Sequence, residues 1–269
     1  FHPAYGYEDF LEGYRPEVVN QQMTFTRKDG IFKRLCDDAR AEPARKFYLI
    51  IDEINRGDIP RIFGELLTVL EKDNRGKAIV LPLSGTPFQV PGNVYVIGTM
   101  NTADRSIALL DAALRRRFGF IELMPDYTVL ENAVVGGIPL KPWLQALNRL
   151  LLKHIGHDAR NLQIGHAYFL AGEKPITDWE RFARVIREDI IPLLQEYCYE
   201  DYNALVEILG KELVDADGQQ IRHDLFDPKQ QDKLVQALLA IDPDIITSYP
   251  MTAEAQDETE DDSGDGEGM

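Results

Sequence analysis

The 269-residue sequence is short of several things, and each shortage removes a class of function. It has two cysteines, Cys36 and Cys198, with no Cys-x-x-Cys pair. A disulfide framework is not indicated, and a reduced, cytoplasmic setting is expected. No cluster of Cys and His has metal-ligand spacing; His154 and His157 stand three apart, as on one helix face, with no third ligand nearby. No apolar run approaches ~18 residues, so no membrane span is expected. The sequence starts at Phe1 with no charged n-region or apolar h-region, so no signal peptide is visible, and a first residue other than Met points to an upstream segment. Positive charge is scarce: 29 Lys and Arg face 45 Asp and Glu, for a net −16. Contact with nucleic acid would need a local basic patch or another domain. The most telling absence is a Gly-x-x-x-x-Gly-Lys-[Ser/Thr] loop, the usual cradle for nucleotide phosphates.

What is present points to nucleotides all the same. Phe47-Tyr-Leu-Ile-Ile51 runs straight into Asp52 and Glu53. Five apolar or aromatic residues in a row predict a strand buried on both faces. Open α/β sheets place their ligands at the carboxyl ends of such strands. Adjacent acids there suit nucleotide hydrolysis: one can hold a hydrated magnesium and the other can take a proton from water. A second buried strand is predicted at Val94–Gly98, leading into Thr99-Met-Asn-Thr-Ala-Asp-Arg-Ser106.

Around these lie helices with apolar stripes: Ile31 to Arg40, and a helix opened by Asp58-Ile59-Pro60 that carries Ile62, Phe63, Leu66, Leu67 and Leu70. The aromatic-rich residues 1–16 read as a strand end and an ordered loop. Arg27-Lys28-Asp29-Gly30 reads as a turn, and Ser84-Gly85 as the centre of a hairpin over residues 78–90. A short helix over Ala108–Arg117 and a third strand at Phe118–Leu123 follow. From Pro139 onward the pattern is helical. Trp143, Leu144, Leu147, Leu150 and Leu151 form one stripe; Trp179, Phe182, Ile186, Ile190 and Leu194 form another, with Pro192 at a bend. Residues 252–269 hold eight acids and no base, half of the net negative charge, and are expected to be disordered.

Asp-Glu-Ile-Asn-Arg (52–56), Phe-Gly-Glu (63–65), Met-Asn-Thr-Ala-Asp-Arg-Ser (100–106) and Leu-Arg-Arg-Arg-Phe (114–118), in that order, resemble the AAA+ motor domain of McrB-type restriction GTPases. Phe1-His-Pro-Ala-Tyr-Gly-Tyr-Glu-Asp-Phe10 and Ile164-Gly-His-Ala-Tyr-Phe169 extend the resemblance over roughly residues 1–200. It implies an α/β P-loop NTPase sheet of order 5-1-4-3-2, here partial with strand 1 missing, followed by an all-helical lid. The domains expected are an α/β core over 1–130, a lid over 131–245 and the acidic tail over 246–269.

The resemblance also assigns roles. Asp52 is the Walker B acid, holding Mg2+ through water, and Glu53 is the general base. Asn101 takes the sensor position, toward the γ-phosphate or the attacking water, and Asn55 helps position that water. Asp104 and Arg105 shape the site and the subunit contact. The helix dipole accounts for one or two of Arg115, Arg116 and Arg117, not for three before a strand. In ring-shaped relatives this helix faces the next subunit's nucleotide, so Arg116 and Arg117 are the arginine-finger candidates. His166 is expected to be structural, and the hairpin at 78–90 architectural.

The substrate implied is GTP, or ATP as in the wider AAA+ class. The partners implied are further copies in a homo-oligomeric ring, a hexamer; a nuclease subunit of the McrC type; and DNA, through a domain outside this sequence. The absent phosphate loop marks the sequence as a C-terminal fragment of a longer polypeptide. Two other readings stand beside this one: a MoxR-like ATPase that remodels protein complexes, and a catalytically inactive ring-interaction module.

Overall fold

A computed structural model describes residues 1–102, 112–156 and 159–248. The chain forms two compact units, Phe1–Glu122 and a second that begins at Leu123.

The first unit is built around a parallel pair, β3 (Phe47–Ile51) and β6 (Val94–Gly98), in register from Phe47 opposite Val94 to Ile51 opposite Gly98. The strands are parallel because the segment between them crosses back over one face. That segment holds α3 (Ile59–Phe63), α4 (Leu66–Leu70) and a small hairpin of β4 (Ile79–Val80) and β5 (Pro87–Phe88). The Asp58 carboxylate caps α3 at the Arg61 N–H, and Pro60 sits in its first turn. Gly64 then breaks the expected single helix in two, at φ 51° and ψ −131°. Helix α2 (Ile31–Ala41) buries Phe32, Cys36 and Ala39 on one stripe. Phe10, at the end of α1 (Tyr7–Phe10), stacks on Phe32 at 5.0 Å and meets Phe63 at 4.7 Å. Burial pushes the Cys36 thiol up to about 12, which makes it an inert core side chain.

Two expectations for this unit are corrected. Phe118–Leu123 is not a strand: among the described residues no neighbouring strand takes its N–H and C=O groups, and Phe120, Ile121 and Leu123 are exposed. Arg27-Lys28-Asp29-Gly30 is not a turn. Arg27 to Asp29 lie in β2 (Gln22–Asp29), which pairs along its whole length with β1 (Glu12–Val19), and Gly30 caps α2. The real turn is Asn20-Gln21, both at positive φ, the two-residue type that matches strand twist.

The strand at 47–51 is covered on one face only. Phe47, Leu49, Ile51, Val94 and Val96 face the core. The other face is bare, with Tyr48 52%, Ile50 69%, Tyr95 41% and Ile97 48% exposed, and Tyr48 stacked on Tyr95 at 5.3 Å.

The second unit is helical: α6 (Leu140–His154), α7 (Trp179–Val185), α8 (Ile191–Tyr197), α9 (Tyr202–Leu209), α10 (Gln231–Leu239) and α11 (Pro243–Ser248). Three short hairpins trim the connections. Trp143 is its buried centre, edge-on to Phe169 and Phe182, and its indole N–H donates to the Leu238 carbonyl at 2.8 Å. Asn148 is buried too, and its amide brackets Ile164, accepting from its N–H at 2.7 Å and donating to its carbonyl at 3.0 Å. A π-turn at Ile186–Ile190 joins α7 to α8 just before Pro192, so the missing proline N–H is absorbed as a register shift within a continuous helical run. Among the described residues no helix is long and apolar enough to cross a membrane.

Candidate functional site

The site is built where β3 and β6 end side by side. Asp52 and Glu53 leave β3, and Thr99 leaves β6. The Thr99 N–H donates to the Ile51 carbonyl, and the Ile54 N–H donates to the Thr99 carbonyl, both at 2.9 Å. The parallel ladder thus continues one step past each strand and fixes the two loops to one another. Thr99 then ties the acids together. Its hydroxyl accepts from the Glu53 N–H at 3.1 Å and donates to Asp52 Oδ1. Glu53 sits at φ 48° and ψ 54°, a left-handed conformation uncommon outside glycine. That geometry turns the chain sharply after the strand, and Arg56 Nε meets Glu53 Oε2 at 2.6 Å.

Asn55 reaches from the same loop to the next residue pair. Its amide donates to the Asn101 carbonyl at 3.2 Å. Its own Oδ1 is buried and has no hydrogen-bond partner among the described residues. A buried acceptor left open costs about 1–3 kcal/mol. Beside Asn101, that oxygen can accept from a water or from a ligand N–H or O–H.

The structure therefore brings together Asp52, Glu53, Asn55 and Asn101. Asp104 and Arg105 lie outside the described residues. Arg116 is exposed, after α5 (Ala112–Arg115). Arg117 is engaged within its own chain: Nε donates to the Leu67 carbonyl at 2.7 Å and Nη2 pairs with Glu71 at 2.7 Å. Arg115 lies over the Phe120 ring at 5.8 Å. In the second unit, His166 Nδ1 accepts from the Asp126 N–H at 2.9 Å, so a neutral His166 carries its proton on Nε2.

Thr99 is the residue that sequence reasoning left without a role. Its one signal was position: the first residue past the second strand, level with the acids on the first. The Phe-Gly-Glu motif also gains a structural meaning. Tyr7 donates to Glu65 at 2.6 Å, and its ring lies 3.2 Å from where a Cβ on Gly64 would sit.

The donor set suits a hard, hydrated cation. Asp52 is exposed, and the Thr99 hydroxyl bonds its Oδ1. Magnesium commonly uses one or two carboxylates plus water and substrate phosphates.

Known proteins agree with this reading of the fold. The profile of the AAA domain (dynein-related subfamily) matches residues 1–118. That of the McrB alpha-helical lid domain matches residues 139–205. The chain is 40% identical over 221 residues to the type IV methyl-directed restriction enzyme EcoKMcrB subunit of Escherichia coli (strain K12), across 75% of this chain and 46% of that protein. The chain carries an McrB-type AAA+ domain. Another relative, the type II restriction enzyme BsuMI component YdiS of Bacillus subtilis (strain 168), is 25% identical over 169 residues, 49% of this chain and 48% of that protein. The chain spans about half the length of these relatives. The lid match bears on the competing MoxR-like reading, because it falls on the helical unit that holds Gly165-His-Ala-Tyr168. An α/β AAA domain followed by an α-helical lid is the architecture of this McrB-type chain.

Proposed function

We propose that this McrB-type chain supplies the hydrolytic half of a nucleoside triphosphatase, GTP or ATP, that drives a restriction system. The observation that carries the proposal is the Thr99 bridge, which holds Asp52 and Glu53 at the joined ends of two parallel strands. In this reading Asp52 holds magnesium through water, and the ion, when bound, neutralises phosphate charge. Glu53 accepts the proton of the attacking water once nucleotide draws it away from Arg56. Asn101 and the open Oδ1 of Asn55 orient that water, and Asp104 and Arg105 complete the loop after Asn101. Arg116 is the better finger candidate toward a neighbouring copy in a ring, because Arg117 is held by Glu71 and Leu67.

The sequence has no phosphate loop of its own. Phosphate cradling falls to a further segment of the polypeptide, whose strand would extend the sheet beside β6 and whose helix would cover Tyr48, Ile50, Tyr95 and Ile97. The adjacency of β3 and β6 fits positions 3 and 4 of the order 5-1-4-3-2. A nuclease subunit and a DNA-reading domain complete the assembly.

The test is Glu53→Gln in the full natural polypeptide. Hydrolysis should fall by about three orders of magnitude or more while nucleotide binding, read by calorimetry, persists. Unchanged turnover would remove Glu53 from the role, and a wild type that neither binds nor hydrolyses nucleotide would sink the enzyme reading as a whole.

A further inference from the structure

Arg56 ends the Asp-Glu-Ile-Asn-Arg stretch and is the one charged residue there without an assigned role. Local structure brings it to Glu53. Ile54–Arg56 is a 3₁₀ turn, and the Arg56 N–H donates to the Glu53 carbonyl at 3.0 Å. Side chains three residues apart eclipse one another in such a turn. The guanidinium is thereby brought against the carboxylate, with Arg56 Nε 2.6 Å from Glu53 Oε2. The bond is charge-assisted, since both partners are ions.

The backbone of the loop does not depend on this pair. The Thr99 hydroxyl holds the Glu53 N–H at 3.1 Å, and the Thr99 carbonyl holds the Ile54 N–H at 2.9 Å. The loop is thus anchored to the end of β6 through main-chain groups, and the ion pair can open by rotation of two side chains. Opening costs little. The Arg56 and Glu53 side chains keep 46% and 39% of their exposure, and water competes well for both ends of so open a pair. The contact is therefore made by default and is readily exchanged.

We propose that Arg56 is a latch on Glu53, a positioning residue that keeps the base in a resting contact until nucleotide displaces it. This rests on the proposed function and adds a regulation to it. A general base must bring an oxygen within hydrogen-bond reach of the water it deprotonates. At rest, Oε2 is engaged by Arg56. The chemistry of a guanidinium names what releases it. Phosphates carry more negative charge than one carboxylate, and the fork of an arginine takes two phosphate oxygens at once. A triphosphate entering beside Asp52 competes for Arg56 and frees Glu53 in the same event. A pair that instead braced the base in its working position would give the opposite sign when Arg56 is removed, so the direction of the effect decides between them.

The experiment is steady-state hydrolysis by the full natural polypeptide with Mg2+ and either GTP or ATP. Arg56→Gln should raise kcat about two- to fivefold, the share of bound complexes that an exposed ion pair can hold in the latched state. KM should rise as well, because the phosphates lose their competitor cation. The gain in kcat should shrink toward none as salt rises from about 50 mM to about 0.5 M, where exposed charges are screened. Arg56→Lys keeps the charge without the fork and should fall between wild type and Arg56→Gln. A lower kcat in Arg56→Gln overturns the latch in favour of a brace. An unchanged kcat overturns it, and so does a gain that is the same at both salt concentrations. Glu53→Gln, assayed alongside, separates the two readings. If it hydrolyses like the wild type, the base and its latch fall together; if it is inactive while Arg56→Gln is no faster than wild type, the latch falls alone.

Discussion

Replacing Thr99 by valine removes one hydroxyl and keeps the shape of the side chain. In the native site that hydroxyl accepts from the Glu53 N–H at 3.1 Å and donates to the Asp52 carboxylate. A hydrogen bond to a charged group contributes about 1.5–3 kcal/mol and a neutral one about 0.5–1.5 kcal/mol. Asp52 is exposed, so water replaces part of the first bond. The second restrains a glutamate at φ 48°, a conformation that needs restraint. The low ends of the two ranges together give about 2 kcal/mol. If Glu53 is the base, that loss falls on its placement in the transition state and lowers kcat about 30-fold. KM should change little, because the hydroxyl is turned to the two acids. The assay is steady-state hydrolysis by the full natural polypeptide, with Thr99→Ser as the control that keeps the hydroxyl. Wild-type turnover in Thr99→Val would refute the reasoning. So would a serine variant as impaired as the valine one, since the defect would then lie in packing.

Three further outcomes follow from the same geometry. Burial pushes the Glu12 carboxyl up, but the Ser84 N–H and the Lys33 ammonium outweigh it and hold it below its ordinary value of 4.5. Its folded pKa is the lower one, so its stabilisation is complete above the unfolded value and is lost as pH falls toward the folded one. Urea titrations should therefore show Glu12→Gln less stable at neutral pH, with the gap narrowing as pH falls below about 4.5; a gap that ignores pH would contradict this. Gly64→Ala places a Cβ against the Tyr7 ring in a backbone region that side chains rarely adopt, and should cost about 1–3 kcal/mol in the same titration; an unmoved midpoint would count against the conformation. Trp143→Phe leaves the buried Leu238 carbonyl without its donor and should destabilise the helical unit by about 1–3 kcal/mol, and a melt like that of the wild type would show that the bond is replaced.

The parts legible in the sequence were those with one environment along a whole face. Helices α2 and α6 announce themselves by stripes that the structure buries. Asp52, Glu53, Asn55 and Asn101 were legible because strand ends bring such residues together whatever the loops do. The β1–β2 ribbon was not. Pro16 argues against a strand, yet it is tolerated because β1 has, among the described residues, one edge without a neighbour. Arg27-Lys28-Asp29-Gly30 looks more turn-like than Asn20-Gln21, where the chain really reverses. The tie of Arg117 to Leu67 and Glu71 was hidden for another reason: it spans about fifty residues and leaves no local pattern.

The two bare faces of the first unit differ in a way that sequence and structure explain together. On β3 the apolar residues are consecutive, so both sides of the strand are apolar although one is covered here. Leaving a large apolar side chain fully in water forgoes about 1.5–3 kcal/mol, so Tyr48, Ile50, Tyr95 and Ile97, each about half exposed, together forgo about 3–6 kcal/mol. A cost of that size on this strand pair fits a permanent layer of the same polypeptide. On β2 the order is Met23, Thr24, Phe25, Thr26, and apolar residues alternate with polar ones that keep the second face solvated. An alternating strand loses less when it is uncovered. The continuous pattern thus supports reading β3 and β6 as the inside of a larger α/β sheet.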